Sequence, residues 1–233
     1  MQATSRRNSW SDTSIRRLEL KGLCLILDQD LLRAGPETVM ARALSAGVRL
    51  FQYRNKSGSR RTIYEAARLL APAARRSRAL FIVNDHADIA AAAGADGVHL
   101  GQDDLPIEAA RRLLGSDRII GISTHDLDQA RAAEEAGADY IGFGPVFATE
   151  TKKAGAAKGT GDLALIRQSV SIPVLAIGGI NLANVANVIL AGADGAAVIS
   201  AVLSAPDIAQ AAEEMVRIIR ETEAGIQRPG GHT

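Results

Sequence analysis

The chain has 233 residues, a length that a barrel of alternating strands and helices occupies as one domain, so no second domain is required. Hydrophobic residues make up 47% and charged residues 23%, an ordinary globular composition that excludes disorder throughout. Lys and Arg total 27 against 26 Asp and Glu, and the net charge of +1 excludes a global field for gathering nucleic acid or anionic membrane. An anion would have to be gripped locally.

Met1 to Arg17 is rich in Ser, Arg and Thr, poor in acid, and lacks the apolar centre of a secretory signal. Residues 1–17 are expected to be a disordered or flexible extension, 18–222 the catalytic domain and 223–233 a flexible tail. No stretch has the apolar length that spans a bilayer, and a cytoplasmic location is expected. The one cysteine, Cys24, lies in the apolar run Leu23 to Leu27 and reads as a buried, inert thiol.

In chain order, short runs rich in Val, Ile and Leu predict strands at Gly22–Leu27, Val48–Tyr53, Leu80–Val83, Gly97–Leu100, Ile119–Ile122, Tyr140–Phe143, Val174–Ile177 and Ala196–Ile199. Helical patterns fill the intervals. The clearest opens at Pro206 and places Ile208, Ala212, Met215 and Ile219 on one face. Four joins from helix to strand share a pattern: Ala46-Gly47-Val48, Gly94-Ala95-Asp96, Gly137-Ala138-Asp139 and Gly192-Ala193-Asp194. In each, Gly can take the left-handed position that ends a helix. Eight such units predict an α/β fold, a single (β/α)8 TIM barrel, with no glycine-rich dinucleotide turn after the first strand. Chemistry in such a barrel sits just after the strands.

The second strand ends in Gln52-Tyr53-Arg54-Asn55-Lys56. Alternation sends Gln52, Arg54 and Lys56 to one side, the interior or its mouth, where two cations suit an anion. The third strand ends in Asn84-Asp85 and the fourth in Gly101-Gln102-Asp103-Asp104. Asp85 and one of the later pair could share a hard cation such as Mg²⁺; alternatively Asp85 caps a helix and the pair makes a turn. His86 and His99 have no ligand spacing and read as structural.

The fifth strand leads to Ser123-Thr124-His125, where Ser123 reads as a hydrogen-bonding residue, since no Asp–His partnership is visible. His125 simply precedes a helix that Asp126 would cap. The sixth leads to Gly144-Pro145 and then Thr149-Glu150-Thr151-Lys152-Lys153, where hydroxyls and a Lys can receive phosphate. The tract from Lys153 to Gly161 is either a closing loop or a plain solvated one. Gly178-Gly179-Ile180-Asn181 and Ile199-Ser200 follow the last two strands, the usual phosphate end of a barrel; a tight turn capped by Asn181 is compatible with that use.

Taken in order, these segments resemble thiamine phosphate synthase from the first strand to the helix after Pro206. The motifs are the one from Gln52 to Lys56, Val83-Asn84-Asp85, the run Gly97 to Asp104, Gly121-Ile122-Ser123-Thr124-His125, Gly144-Pro145-Val146-Phe147, Thr149 to Lys153, Ala176-Ile177-Gly178-Gly179-Ile180 and Val198-Ile199-Ser200-Ala201. The resemblance implies Mg²⁺-dependent joining of a hydroxymethylpyrimidine diphosphate to a thiazole phosphate, through a pyrimidine-methyl cation that the thiazole nitrogen captures. It further implies that the motif from Gln52 through Tyr53, Arg54 and Asn55 to Lys56 binds the pyrimidine substrate. Gln52 and Ser123 would meet the ring, while Arg54, Lys56, Asn84 and Lys152 hold the diphosphate. Asp85 and Asp104 would bind Mg²⁺. Thr149, Thr151, Gly179, Ile199 and Ser200 would receive the thiazole phosphate, Glu150 would be a further substrate-binding residue, and Arg54, Lys56, Ser123 and Lys152 would be catalytic. Asn55 stands where the family often has an acid, and Asp103 where it often has Glu, so the metal is assigned to Asp104. The alternatives are a thiazole tautomerase, which does not need the two aspartates, and a non-catalytic barrel that binds thiazole phosphate. Small-molecule substrates are the expected partners, with no nucleic acid or membrane.

Overall fold

The computed structural model describes residues 20–149 and 156–226. Its strands are β1 (Gly22–Asp28), β2 (Leu50–Arg54), β3 (Leu80–Asn84), β4 (Gly97–Leu100), β5 (Ile119–Thr124), β6 (Tyr140–Phe143), β7 (Val174–Ile177) and β8 (Gly195–Val198). All neighbours run parallel, and β8 pairs with β1 to close the barrel. The helices are α1 (Pro36–Ser45), α2 (Arg60–Arg76), α3 (Ala87–Ala93), α4 (Ile107–Leu114), α5 (Leu127–Glu135), α6 (Gly159–Ser169), α7 (Val185–Leu190), the short α8 (Ser200–Leu203) and α9 (Ile208–Gly225).

The expected strands are all present, and the shifted ends have local causes. Val48 donates its N–H back to Ala43 at 3.0 Å and so still belongs to the end of α1, which is why β2 starts at Leu50. Ile199 has left β8 because its carbonyl accepts from Val202 and Leu203 in α8. The last helix runs through Gly225, past the expected boundary at 222. The expected extension at 1–17 lies outside the described residues.

Outward side chains such as Leu25, Leu27, Phe51, Tyr53, Phe81 and Val83 are at most 1% exposed, which places the main apolar layer between sheet and helices. In α9, Ala212, Met215, Val216 and Ile219 form the buried stripe, and the Asp207 carboxylate caps the helix by accepting from Ala209 and Gln210.

The repeated joins have a shared geometry at the end of the barrel opposite the strand C-termini. Gly47, Gly94, Gly137 and Gly192 all have positive φ, between 68° and 97°. In three of them the following Asp closes a ring with the preceding strand. Asp96 donates its N–H to Phe81 and accepts the Phe81 N–H on its carboxylate; Asp139 does the same with Ile120, and Asp194 with Val174. Arg111 and Arg167 then pair with Asp139 and Asp194. Asp194→Ala leaves the Val174 N–H without its carboxylate and is expected to cost about 1–3 kcal/mol of stability, read as a lower urea midpoint, with catalytic parameters of the folded protein unchanged.

Candidate active site

Strand pairing in register puts residues of adjacent strands on the same face. The inward positions are Cys24, Ile26 and Asp28 on β1, Gln52 and Arg54 on β2, Asn84 on β3 and His99 on β4; across the barrel they are Gly121 and Ser123, Tyr140 and Gly142, Leu175 and Ile177, and Ala197. Glycine and alanine at several inward positions, Gly121, Gly142 and Ala197 among them, leave room inside the barrel. A cavity of about 560 Å³ opens there, lined by Gln52, His99, Ser123, Tyr140, Thr149, Gly178, Gly179, Ile199 and Ser200, among others. Of the residues expected to bind substrate, Gln52, Ser123, Thr149, Gly179, Ile199 and Ser200 are therefore gathered around one space. Glu150, Thr151 and Lys152 lie outside the described residues.

Gly179, at φ 65°, lets the chain pass the β6 loop: a Cβ there would stand 2.4 Å from the Ala148 carbonyl oxygen. Asn181 makes a local turn, its side-chain oxygen accepting from Ala183 at 2.9 Å, and does not sit at the cap position, which Asn184 occupies. Lys158 and Gly159 donate their N–H groups to Pro145 and Val146, and Gly159 opens α6. Of the tract from Lys153 to Gly161, read as either a closing or a plain solvated loop, the part from Lys158 onward is anchored by these backbone bonds and by helix.

At the opposite side of the mouth, charges are paired. Arg54 meets the buried Asp28 at 2.5 Å, and Lys56 meets Asp85 at 2.5 Å. The Asp104 carboxylate accepts the Gly101 N–H at 2.6 Å, so the turn at Asp103-Asp104 also aims Asp104. Burial and the adjacent Asp85 carboxyl hold Asp104 above the usual carboxylate range, against the opposing pull of the Gly101 N–H and Lys56. Asp85 has φ 65°, a left-handed conformation uncommon for a non-glycine residue, and its N–H is held by the His99 carbonyl at 2.7 Å. It does not cap α3, whose cap position is His86. Among the described residues no group of three or more His, Cys, Asp or Glu gathers, so the two carboxylates stand as a pair. Such an all-oxygen pair fits a cation of the Mg²⁺ kind, which takes one or two carboxylates and fills its shell with water and phosphate.

Two residues of the second-strand motif stand apart from the cavity. Tyr53 and Asn55 face the helix layer, beside Pro36, Glu37, Thr62 and Glu65, and not the cavity. Tyr53 donates its hydroxyl to Gln29, and the Asn55 side-chain oxygen accepts the Gly58 N–H at 2.7 Å, closing the loop after β2. The strand's period of two compels this once Gln52 faces inward. Asn84 is buried on the inward face, in register with His99. Asp103 is exposed. His125 Nδ1 lies 2.6 Å from the Gly144 carbonyl oxygen, to which it donates, and Asp126 caps α5 through the Gln129 N–H.

Three inward residues were not singled out as site residues from sequence: Asp28, His99 and Tyr140. The signal for all three was the alternation already used for β2. Applied to Cys24-Leu25-Ile26-Leu27-Asp28, it turns Asp28 toward Arg54.

This combination of a closed barrel, a glycine-lined pocket after β7 and β8, and an acid–base cluster after β2 to β4 defines a phosphate-handling (β/α)8 enzyme fold. Residues 23–202 match the sequence model of the TMP-TENI family, described as thiamine monophosphate synthase. Curated relatives include the thiamine-phosphate synthase of Chlorobium phaeovibrioides, 50% identical over 85% of this chain and 94% of the relative, and that of Chloroflexus aurantiacus, 46% identical over 86% and 94%. Among solved structures, a thiamine phosphate pyrophosphorylase from Pyrococcus furiosus superposes with a TM-score of 0.81 at 41% identity, covering 88% of this chain and 98% of the other. The chain belongs to the thiamine monophosphate synthase family.

Two outcomes follow from the electrostatics. Asp104→Asn removes a carboxylate from beside Asp85 while its side-chain oxygen can still accept from Gly101. The metal-free variant is expected to melt about 1–3 °C above the parent near neutral pH. Because the folded state raises the Asp104 pKa, the unfavourable contribution is full above that raised value and fades as pH falls toward the unfolded value, so the difference in Tm should shrink in acid. Cys24 is 2% exposed, and burial pushes its thiol up to about 12. At pH 8 only about one thiol in ten thousand is ionised. A colorimetric disulfide reagent is expected to leave the native protein essentially unlabelled and to count one thiol after denaturation.

Proposed function

We propose that this chain condenses 4-amino-2-methyl-5-hydroxymethylpyrimidine diphosphate with 4-methyl-5-(2-phosphoethyl)thiazole, releasing thiamine phosphate and pyrophosphate. The observation that carries this reading is the cluster of Asp85, Asp104 and Lys56, with Arg54 on the neighbouring strand end, at the same end of the barrel as the glycine- and serine-lined part of the cavity after β7 and β8. Two such regions suit two phosphorylated substrates. The aspartate pair argues against a tautomerase, which has no diphosphate to hold, and the curated relatives favour catalysis over a binding-only barrel.

Asp85 and Asp104 would hold Mg²⁺, which when bound neutralises charge on the diphosphate. Arg54, kept in place by Asp28, presents its remaining donors to the leaving group. Lys56 is half exposed and can turn from Asp85 to a phosphate oxygen. Lys152 would contribute a further cation, and Asn84 a neutral donor at the same end. Gln52 and Ser123, on the cavity wall, would hold the pyrimidine ring. On the far side Gly179 and Ser200, with Thr149 and Ile199, would receive the thiazole phosphate, and Thr151 and Glu150 would add to substrate binding. The cavity walls exclude water from the reacting carbon, and the cations stabilise charge as it grows on the departing oxygen. No side-chain nucleophile is needed.

The test combines purified protein, both substrates and Mg²⁺, with thiamine phosphate followed as its fluorescent oxidation product. Product that depends on Mg²⁺ and disappears with a chelator is expected; absence of product, or indifference to the chelator, rejects the reading. Asp85→Ala and Asp104→Ala are each expected to lower kcat by at least about 100-fold while thiazole phosphate binding, read by calorimetry, is retained.

A further inference from the structure

Three consecutive side chains at the end of β1 each take a partner from the segment that ends β2. Asp28 Oδ2 accepts from Arg54 Nη1 at 2.5 Å, Gln29 Oε1 accepts from the Tyr53 hydroxyl at 2.9 Å, and Asp30 Oδ1 accepts from the Ser57 hydroxyl at 2.8 Å. The Gln29 N–H adds a bond to the Arg54 carbonyl at 2.8 Å. Asp28 and Arg54 are also register partners, so the two side chains stand next to one another on the inward face. The second carboxylate oxygen of Asp28 accepts the Asp30 N–H at 3.2 Å, and the Asp28 carbonyl accepts from Leu31 and Leu32. The acid is therefore held at both its backbone and its side chain before it holds Arg54.

An acid at this place needs a reason. The proposed reaction brings a diphosphate to Arg54, and a carboxylate beside that residue repels the anion and occupies one of the guanidinium's donors. Asp28 is 3% exposed, so solvent does little to screen it. Two physical roles could outweigh that cost. As a neutraliser, Asp28 would only make a largely buried Arg54 tolerable, and removing it would tighten anion binding. As a positioner, it orders a long side chain in advance, so that the ligand is spared the entropy of fixing it, and removing it would weaken binding. The bracing of the two strand ends favours the second role: neutralising a charge needs only a neighbouring charge, whereas Asp28 is fixed from several directions and its register with Arg54 is locked by backbone and side-chain bonds on either side.

We infer that Asp28 is a positioning residue for the proposed reaction, fixing the Arg54 guanidinium for the diphosphate although its own charge opposes that anion. The inference rests on the synthase reading for its ligand.

The two roles differ in sign, and inorganic pyrophosphate with Mg²⁺ is the probe. Calorimetry on the folded protein is expected to show Asp28→Ala weakening pyrophosphate binding about tenfold, and the same substitution causing no loss in an Arg54→Gln background. Pyrophosphate bound as tightly or more tightly by Asp28→Ala, an equal loss in the Arg54→Gln background, or a parent protein that binds no pyrophosphate overturns the inference. If Asp28→Ala does not fold, Arg54→Lys carries the test, because it keeps both charges and removes the fork that Asp28 holds: binding about tenfold weaker is expected, and unchanged binding overturns the inference. In turnover, Asp28→Ala should raise KM for the pyrimidine diphosphate and leave KM for the thiazole phosphate unchanged; an equal rise in both overturns it. If the parent makes no thiamine phosphate, the synthase reading fails and the pyrophosphate titrations still decide the role of Asp28. If the parent makes it and Asp28→Ala binds pyrophosphate no worse, only this inference fails.

Discussion

Closure of the sheet is the constraint from which the site follows. Once β8 pairs with β1, every second residue of every strand is committed to a small interior whose width the strand count sets. Function then depends on how side-chain volume is distributed around that ring. Large side chains such as Leu50 and Ile82 fill inward positions on β2 and β3, whereas Gly142 and Ala197 on β6 and β8 help to leave the cavity open. Glycine is also required by neighbouring atoms just past β6, where a Cβ on Gly144 would stand 2.1 Å from the Ile177 carbonyl oxygen.

The charged side of the mouth solves a related problem. Arg54, Lys56, Asp28 and Asp85 would be costly as isolated ions in a partly buried site, and as two ion pairs they are compensated before any ligand arrives. In the proposed reaction Asp85 and Asp104 would hold the cation, and Lys56 would pass from Asp85 to a diphosphate oxygen. Exchange of partners avoids stripping charges bare. Asp28 has a different part, because its buried carboxylate holds the Arg54 guanidinium through Nη1 alone, at 2.5 Å.

Much of this was legible in the sequence because it is carried by period and punctuation. Short β-branched runs, the glycine that ends each helix, and the alternation of Gln52, Arg54 and Lys56 each reflect a local steric rule. What escaped was relational. That His99 would meet both Tyr140 and Ser123 depends on register across three strands and on glycine at position 121, which no local pattern reveals. The outward turn of Tyr53 and Asn55 was, by contrast, available from alternation alone, and assigning the whole motif by resemblance obscured it. The Asp of the repeated Gly-Ala-Asp joins was visible as a repetition, but its bond to the preceding strand requires knowing which strand lies beside it.

The two ends of the barrel therefore carry different burdens. At one end Asp96, Asp139 and Asp194 accept backbone N–H groups of neighbouring strands, so each carboxylate is satisfied by the fold itself. At the other, Asp85 sits in a left-handed conformation and pairs with Lys56, while Asp104 accepts the Gly101 N–H yet is crowded by the Asp85 carboxyl, which together with burial disfavours its charged form. Both sets use the same residue type at strand ends. What separates them is that each carboxylate of the first set is bonded to a neighbouring strand, whereas the second two crowd each other, and in the proposed reaction a cation would relieve that crowding.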